Sequence, residues 1–216
     1  WGLSYNAQDV ALPIGFNESF IHPKYILTNI PILLSFFGFY LIPILIIEFL
    51  NLGIKSFVNK YLKNFVFALI VFIFLSAMGI LNYLANYTLG GGAILKLNYL
   101  IQKNNFFLLL IFSSIGFSVL AQLSKEYIKN NLIIIMPIFI IYGIPLFLYQ
   151  EYVEPLILIM FFLTMKTNLH KIYFKKVSVS NFIFLSYFTI YLIGSIYFKH
   201  FAFSSYEEWK IFLNAH

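Results

Sequence analysis

Two carboxylates stand close together between apolar stretches of this sequence. Glu151 and Glu154 lie in residues 149–155 (YQEYVEP), where Tyr149 and Tyr152 flank them. A carboxylate placed among membrane-embedded residues costs several kcal/mol unless it is paired, hydrated or facing a cavity. The pattern therefore predicts a polar pocket in a break between two apolar runs, with Pro155 opening the second helix. The alternative is an interfacial turn with solvated carboxylates and belt tyrosines.

A second set of reactive groups precedes the first long apolar run. Asp9, Glu18 and His22 supply two carboxylates and an imidazole within the first 22 residues. Such a group can perform general acid–base work or help to bind a divalent metal. Their order shows no metal-ligand spacing, so the sequence identifies no metal site and no cofactor. The alternative is a solvated loop ahead of the first helix.

A glycine run at residues 90–92 is followed by two cations, Lys96 and Lys103. Backbone N–H groups of a glycine run can approach a phosphate closely. The run lacks the spacing of a phosphate-binding P-loop, so a flexible turn is the alternative. Together with the lysines, the segment could hold the phosphate or diphosphate of a lipid.

Composition shows what surrounds these groups. Hydrophobic residues make up 61% of the 216 residues and charged residues only 10%, whereas a soluble domain carries roughly 25% charged residues. The apolar surface must therefore face lipid. The formal charge of +6 comes from lysines between apolar runs, which is typical of loops near anionic lipid and not of nucleic-acid binding. Absence of cysteine excludes disulfides and thiolate nucleophiles.

The apolar residues form six runs that do not alternate with polar residues, which favours helices over a β-barrel. We therefore predict an all-α, polytopic transmembrane helix bundle with about six spans. An external N-terminal segment would comprise residues 1–28, the bundle 29–198 and an external tail 199–216. The runs cover residues 29–47, closed by Glu48, and residues 65–84, 106–123, 132–149, 152–165 and 179–198.

Lysine placement predicts the orientation. The connections at residues 51–63, 124–131 and 166–178 carry nine lysines, and the segments on the other side carry five. The nine-lysine side is therefore expected to be cytoplasmic, with both ends of the chain on the non-cytoplasmic side. Because the chain begins at Trp1, we expect a fragment, the C-terminal part of a longer membrane protein.

The arrangement resembles the C-terminal membrane half of glycosyltransferases of the GT-C class that use polyprenyl-phosphate sugars. It is most similar to the dolichyl-phosphate-glucose α-1,2-glucosyltransferases. The resemblance rests on His22 before an apolar span, on the acidic–Tyr–Pro stretch, and on an aromatic tail. Those residues are Glu151, Tyr152 and Pro155 for the stretch and Tyr206 and Trp209 for the tail. The family has an Arg before the Tyr, and this chain has none.

The resemblance implies inverting transfer of a sugar from a polyprenyl-phosphate carrier to an acceptor on the non-cytoplasmic face. It also implies that the catalytic carboxylate lies in an external loop upstream of this fragment. Partners would be membrane lipid and the lipid-linked sugar. The chamber is expected between the N-terminal segment, residues 90–103 and residues 151–155. Alternatives are a transporter or flippase subunit, which would use broken helices, and a non-enzymatic scaffold with small-residue helix faces.

Overall fold

The computed structural model describes residues 23–78, 94, 97, 107–143 and 150–201, with the backbone alone at 23–26, 28, 150–152 and 198–201. Every regular element in these ranges is helical, and no strand occurs among them, which confirms the all-α prediction. The elements are α1 (Pro23–Tyr40), α2 (Ile42–Leu52), α3 (Ile54–Ala77), α4 (Phe107–Glu126), α5 (Ile128–Gly143), α6 (Gln150–Ile159), a π-helical turn (Met160–Thr164), α7 (Asn168–Lys175) and α8 (Val177–Phe201).

Three helices, α3, α4 and α8, are long and apolar enough to cross a membrane. The pair α1–α2 passes the same test together but is bent by 55°, so the described residues hold three or four candidate spans. Helix α5 and the segment Val153–Thr164 are apolar but shorter. The chain is therefore suited to the membrane, while the count of six spans stays a prediction. The predicted external segments, 1–28 and 199–216, lie almost wholly outside the described residues.

The bend between α1 and α2 follows from a proline. Pro43 has no N–H, so the carbonyl of Phe39, four residues earlier, has no helical partner. The Tyr187 hydroxyl of α8 donates a hydrogen bond to that carbonyl at 2.9 Å. The break in the helix is thus stabilised from a neighbouring helix.

Helices α1 and α4 approach each other at two glycines. A Cβ at Gly38 would collide with the backbone carbonyl of Phe112, and one at Gly116 would collide with that of Leu34. The Ser113 hydroxyl lies 2.6 Å from the Pro31 carbonyl across the same contact. Small residues permit such close packing of membrane helices. This small-residue face is therefore occupied by packing within the chain.

Three connections meet at one end of the bundle: α2 to α3, α4 to α5, and the π-helical turn to α7. Hydrogen bonds that join Lys60 to Glu126 and Glu126 to Thr167 bring them together. We call this the Lys-rich end, because it contains the nine lysines of residues 51–63, 124–131 and 166–178. The three connections lie together, as expected of connections on one side of a membrane, and their cytoplasmic placement stays a prediction. The expected loops are wrong in part: α3 begins at Ile54, α4 and α5 leave only Tyr127 between them, and α7 occupies Asn168–Lys175 of the third loop.

Candidate functional site

The predicted site residues fall into three groups. Five lie outside the described residues: Asp9, Glu18, His22, Lys96 and Lys103. Glu151 and Tyr152 are described as helical backbone in α6, and Glu154 is described in full. The predicted break is wrong for residues 150–155, because α6 begins at Gln150. Pro155 lies inside that helix and does not open it, since a proline near a helix start removes a single hydrogen bond and leaves the other turns intact.

Glu154 is half-buried and takes part in a polar cluster between three helices. The Tyr40 hydroxyl at the end of α1 lies close enough to the Glu154 carboxylate and to the Tyr191 hydroxyl of α8 to interact electrostatically with both. The Tyr40 side chain is fully buried and stacks on Phe188, with ring centroids 6.0 Å apart. These three residues, Glu154, Tyr40 and Tyr191, form the Glu154 cluster. The carboxylate thus lies in a partnered, aromatic setting and not on a solvated turn.

The Glu154 cluster is distant from the Lys-rich end. Glu154 precedes Met165 by eleven residues, about 16 Å along a helix. Met165 adjoins Lys166, whose backbone N–H donates to the Asn131 side-chain oxygen at 3.0 Å. The Glu154 cluster and the polar residues of the Lys-rich end therefore lie at different levels of the bundle.

The second polar group is centred on Lys60 of α3. The Lys60 ammonium lies 2.7 Å from a Glu48 oxygen and 3.1 Å from a Glu126 oxygen. The Tyr61 hydroxyl donates to the other Glu48 oxygen at 2.5 Å. Only 1% of the Glu48 side chain is exposed. These residues, Glu48, Lys60, Tyr61 and Glu126, form the Lys60 network, which joins α2, α3 and α4.

The Lys60 network continues to the start of α7. The second Glu126 oxygen accepts a hydrogen bond from the Thr167 hydroxyl at 3.1 Å and one from the Asn168 backbone N–H at 3.0 Å. The Thr167 hydroxyl oxygen also accepts from the Leu169 N–H at 3.1 Å, as an N-cap of α7. Both oxygens of each glutamate are therefore engaged, and the network acts as a structural clamp.

The π-helical turn is held by residues from other elements. The Lys166 N–H is directed to Asn131, so it is not available to the π-helical carbonyl of Phe161. A ring nitrogen of His170 hydrogen-bonds with that carbonyl at 2.7 Å. Burial raises the pKa of the nearby Tyr173 hydroxyl, and this hydroxyl donates to the Asn181 side-chain oxygen at 2.7 Å. His170 thus holds the turn against α7, and Tyr173 joins α7 to α8.

Every carboxylate oxygen of the Lys60 network is hydrogen-bonded within the protein, whereas the Glu154 cluster has a half-buried carboxylate. No group of three or more His, Asp or Glu side chains in the described ranges could hold a metal ion. Sequence reasoning missed the Lys60 network because its partners are far apart: Glu126 follows Lys60 by 66 residues. The available signal was Glu48, an isolated acid at the end of an apolar run, near a lysine-bearing segment.

Comparison of the chain with protein families, with curated proteins and with solved structures finds no match. The site must therefore be interpreted from its own residues.

Proposed function

We propose that this chain is the membrane-embedded part of a glycosyltransferase that moves a sugar from a polyprenyl-phosphate carrier to an acceptor on the non-cytoplasmic face. The observation that supports the proposal is the Glu154 cluster. It offers a carboxylate and tyrosine hydroxyls among helices whose composition suits lipid. Sugars are bound through hydroxyl groups, for which a carboxylate is a strong acceptor.

Helix lengths support an opening towards the side opposite the Lys-rich end. Helix α5 has 16 residues, and α6 with the π-helical turn has fifteen, so they extend about 24 Å and 22 Å. The hydrocarbon core is about 30 Å thick. With the Lys-rich end at one membrane surface, the described parts of these two helices would end several Å below the opposite surface. Glu154 would then lie near the floor of a recess open to the non-cytoplasmic side.

Each residue of the Glu154 cluster has a distinct role in this proposal. The half-buried carboxylate of Glu154 accepts hydrogen bonds from sugar hydroxyls. Tyr191, also half-buried, offers an aromatic face to the sugar ring. Tyr40 is fully buried, so it is a positioning residue that fixes the carboxylate.

The remaining predicted residues complete the proposed chamber. Lys96 and Lys103 would stabilise the departing lipid phosphate, because cations placed where negative charge develops lower the barrier. Glu151 and Tyr152 belong to the first turn of α6, next to Glu154. Asp9, Glu18 and His22 would line the mouth. A carboxylate upstream of this fragment would deprotonate the acceptor hydroxyl.

The experiment measures sugar transfer from a radiolabelled polyprenyl-phosphate sugar by the full-length protein in membranes. Glu154→Gln should lower the rate about 10- to 100-fold, since a hydrogen bond to a charged group contributes about 1.5–3 kcal/mol. The control is Tyr173→Phe, which also removes a tyrosine hydroxyl and its hydrogen bond, here to Asn181, and leaves both the bend and the Glu154 carboxylate intact. Wild-type rates in a normally folded Glu154→Gln variant would contradict the proposal.

A second candidate function, a transporter or flippase subunit, is favoured by the bend of 55° between α1 and α2. Discontinuous helices commonly line binding sites in transporters, and Tyr40 of the Glu154 cluster is the last residue of α1. A translocation assay distinguishes the two functions. Translocation of a fluorescent lipid-linked sugar by the purified protein in proteoliposomes, without transfer to an acceptor, would select the second.

A further inference from the structure

Most lysines at the Lys-rich end form no ion pair with an acid in the part of the chain that the structure describes. Nine lysines and two glutamates give this end a formal charge of +7. Both glutamates are engaged by Lys60. Among the described residues, the other eight lysines make no ion pair: Lys55, Lys63, Lys125, Lys129, Lys166, Lys171, Lys175 and Lys176. An end with this charge attracts anionic lipid headgroups, each basic residue near the surface contributing about 1 kcal/mol.

An apolar groove lies beside this charge, between α2, α3 and α4. Its volume is about 240 Å³, and its walls include Leu45, Val58, Leu62, Phe65, Ile115 and Val119. Val58 and Leu62 are 39% and 51% exposed, so the groove opens on the outside of the bundle. An apolar cavity of ~150 Å³ already binds a small hydrocarbon. In a membrane, the hydrocarbon at hand is a lipid acyl chain.

The position of Lys55 connects the groove with the charge. Lys55, Val58 and Leu62 follow one another at i, i+3 and i+7 in α3, which places them on one stripe of the helix. Lys55 therefore lies about one turn beyond Val58, towards the Lys-rich end. Its side chain is exposed. A cation thus lies next to the apolar groove, and this arrangement fits a lipid with a negative headgroup.

We propose that the α2–α3–α4 groove binds one acyl chain of an anionic phospholipid and that Lys55 holds the phosphate of its headgroup. The apolar walls provide no polar partner for a peptide backbone, because the Ser118 hydroxyl, which faces the groove, already donates to the Tyr61 carbonyl at 2.9 Å. Charge selects among lipids, since a zwitterionic headgroup has no net attraction to a +7 surface. The site is independent of the sugar-transfer proposal.

The test uses the full-length protein in nanodiscs of equimolar phosphatidylcholine and phosphatidylglycerol with identical acyl chains. Native mass spectrometry counts the lipids that remain bound after release into detergent. Lys55→Gln should reduce retained phosphatidylglycerol about five-fold, the effect of one basic residue near the surface, and leave retained phosphatidylcholine unchanged. Leu62→Trp should reduce retention by filling the groove.

Two controls match these variants. Lys129→Gln removes an exposed lysine of the same end that lies on α5. Val71→Trp fills a second apolar groove of about 200 Å³ between α1, α3 and α4, farther along α3. Val71→Trp should retain phosphatidylglycerol as the wild type does. Lys129→Gln should lose less phosphatidylglycerol than Lys55→Gln, because it lowers the general charge of this end without touching the groove. Equal retention of the two lipids by the wild type, or equal losses in either variant and its control, would overturn the proposal. Displacement of the lipid by inorganic phosphate alone would also overturn it, because the acyl chain would then contribute nothing.

Discussion

The Lys60 network gives the sharpest stability prediction, the effect of Lys60→Met. This substitution removes the ammonium group and keeps a side chain of comparable length. It leaves Glu48 with Tyr61 as its remaining partner and Glu126 with Thr167 and Asn168. Because only 1% of the Glu48 side chain is exposed, its charge cannot be solvated in place of the lost ion pair.

The expected cost follows from the burial of each partner. Removing one member of a buried ion pair typically destabilises a protein by about 3–5 kcal/mol. Lys60 and Glu126 retain 19% and 11% exposure, so water reaches part of the network and the lower value applies. We expect Lys60→Met to reduce the free energy of unfolding by about 3 kcal/mol. Most of this loss comes from the Glu48 carboxylate, which stays buried without its lysine partner.

A second variant separates that cause from a simple loss of packing. Glu48→Gln combined with Lys60→Met neutralises both groups, and the side-chain amide carbonyl introduced by the first substitution can still accept from Tyr61. The double variant should recover most of the lost stability, because a neutral buried pair carries no desolvation cost of charge. Unfolding in sodium dodecyl sulfate, followed by circular dichroism, measures all three proteins. The reasoning is refuted when Lys60→Met is as stable as the wild type, or when the double variant is no more stable than Lys60→Met.

Three further predictions test other parts of the molecule. Gly38→Ala should destabilise the protein and Gly194→Ala should not, because a Cβ meets a backbone carbonyl at the first position and open space at the second; thermal unfolding of both variants measures this. Asn131→Ala should reduce the free energy of unfolding by about 2–3 kcal/mol, measured by detergent unfolding, since this buried amide makes three hydrogen bonds. Lys175→Cys should be protected from an impermeant external thiol reagent to which Asp9→Cys reacts, and equal labelling would contradict the predicted orientation.

The helical class could be predicted because it depends on local composition. With 61% hydrophobic residues and apolar runs that do not alternate, helices are the simplest way to satisfy the backbone in lipid. The start of α3 was missed for a local reason as well. Lys55, Lys60 and Lys63 break the apolar run, but long lysine side chains let the ammonium leave a helix that continues through them.

The contacts that define the polar groups could not be predicted, because they join residues far apart in the chain. Glu48 has the ordinary sequence signature of a span end, and only the turn at Gly53 brings α3 back to cover it. Likewise, nothing near Glu154 indicates that Tyr40 will be its partner. A single sequence identifies groups that need partners, and tertiary packing decides which partners they find.

The two polar groups divide the bundle into a fixed end and a bent region. Tyr40 lies just before α2, and Glu48 lies within it. Glu48 follows Leu41, the residue before α2, by seven positions, which is about 10 Å along the helix. The Lys60 network holds one end of α2 against α3 and α4, while the bend of 55° lies at its other end beside the Glu154 cluster. Rotation at the bend would move Tyr40 relative to α2 and leave the network intact, but it would break the close contact of α1 with α4 at Gly38 and Gly116. If either proposed function requires movement, we therefore expect it at the Glu154 level, where that contact must open, with the Lys-rich end as the fixed base.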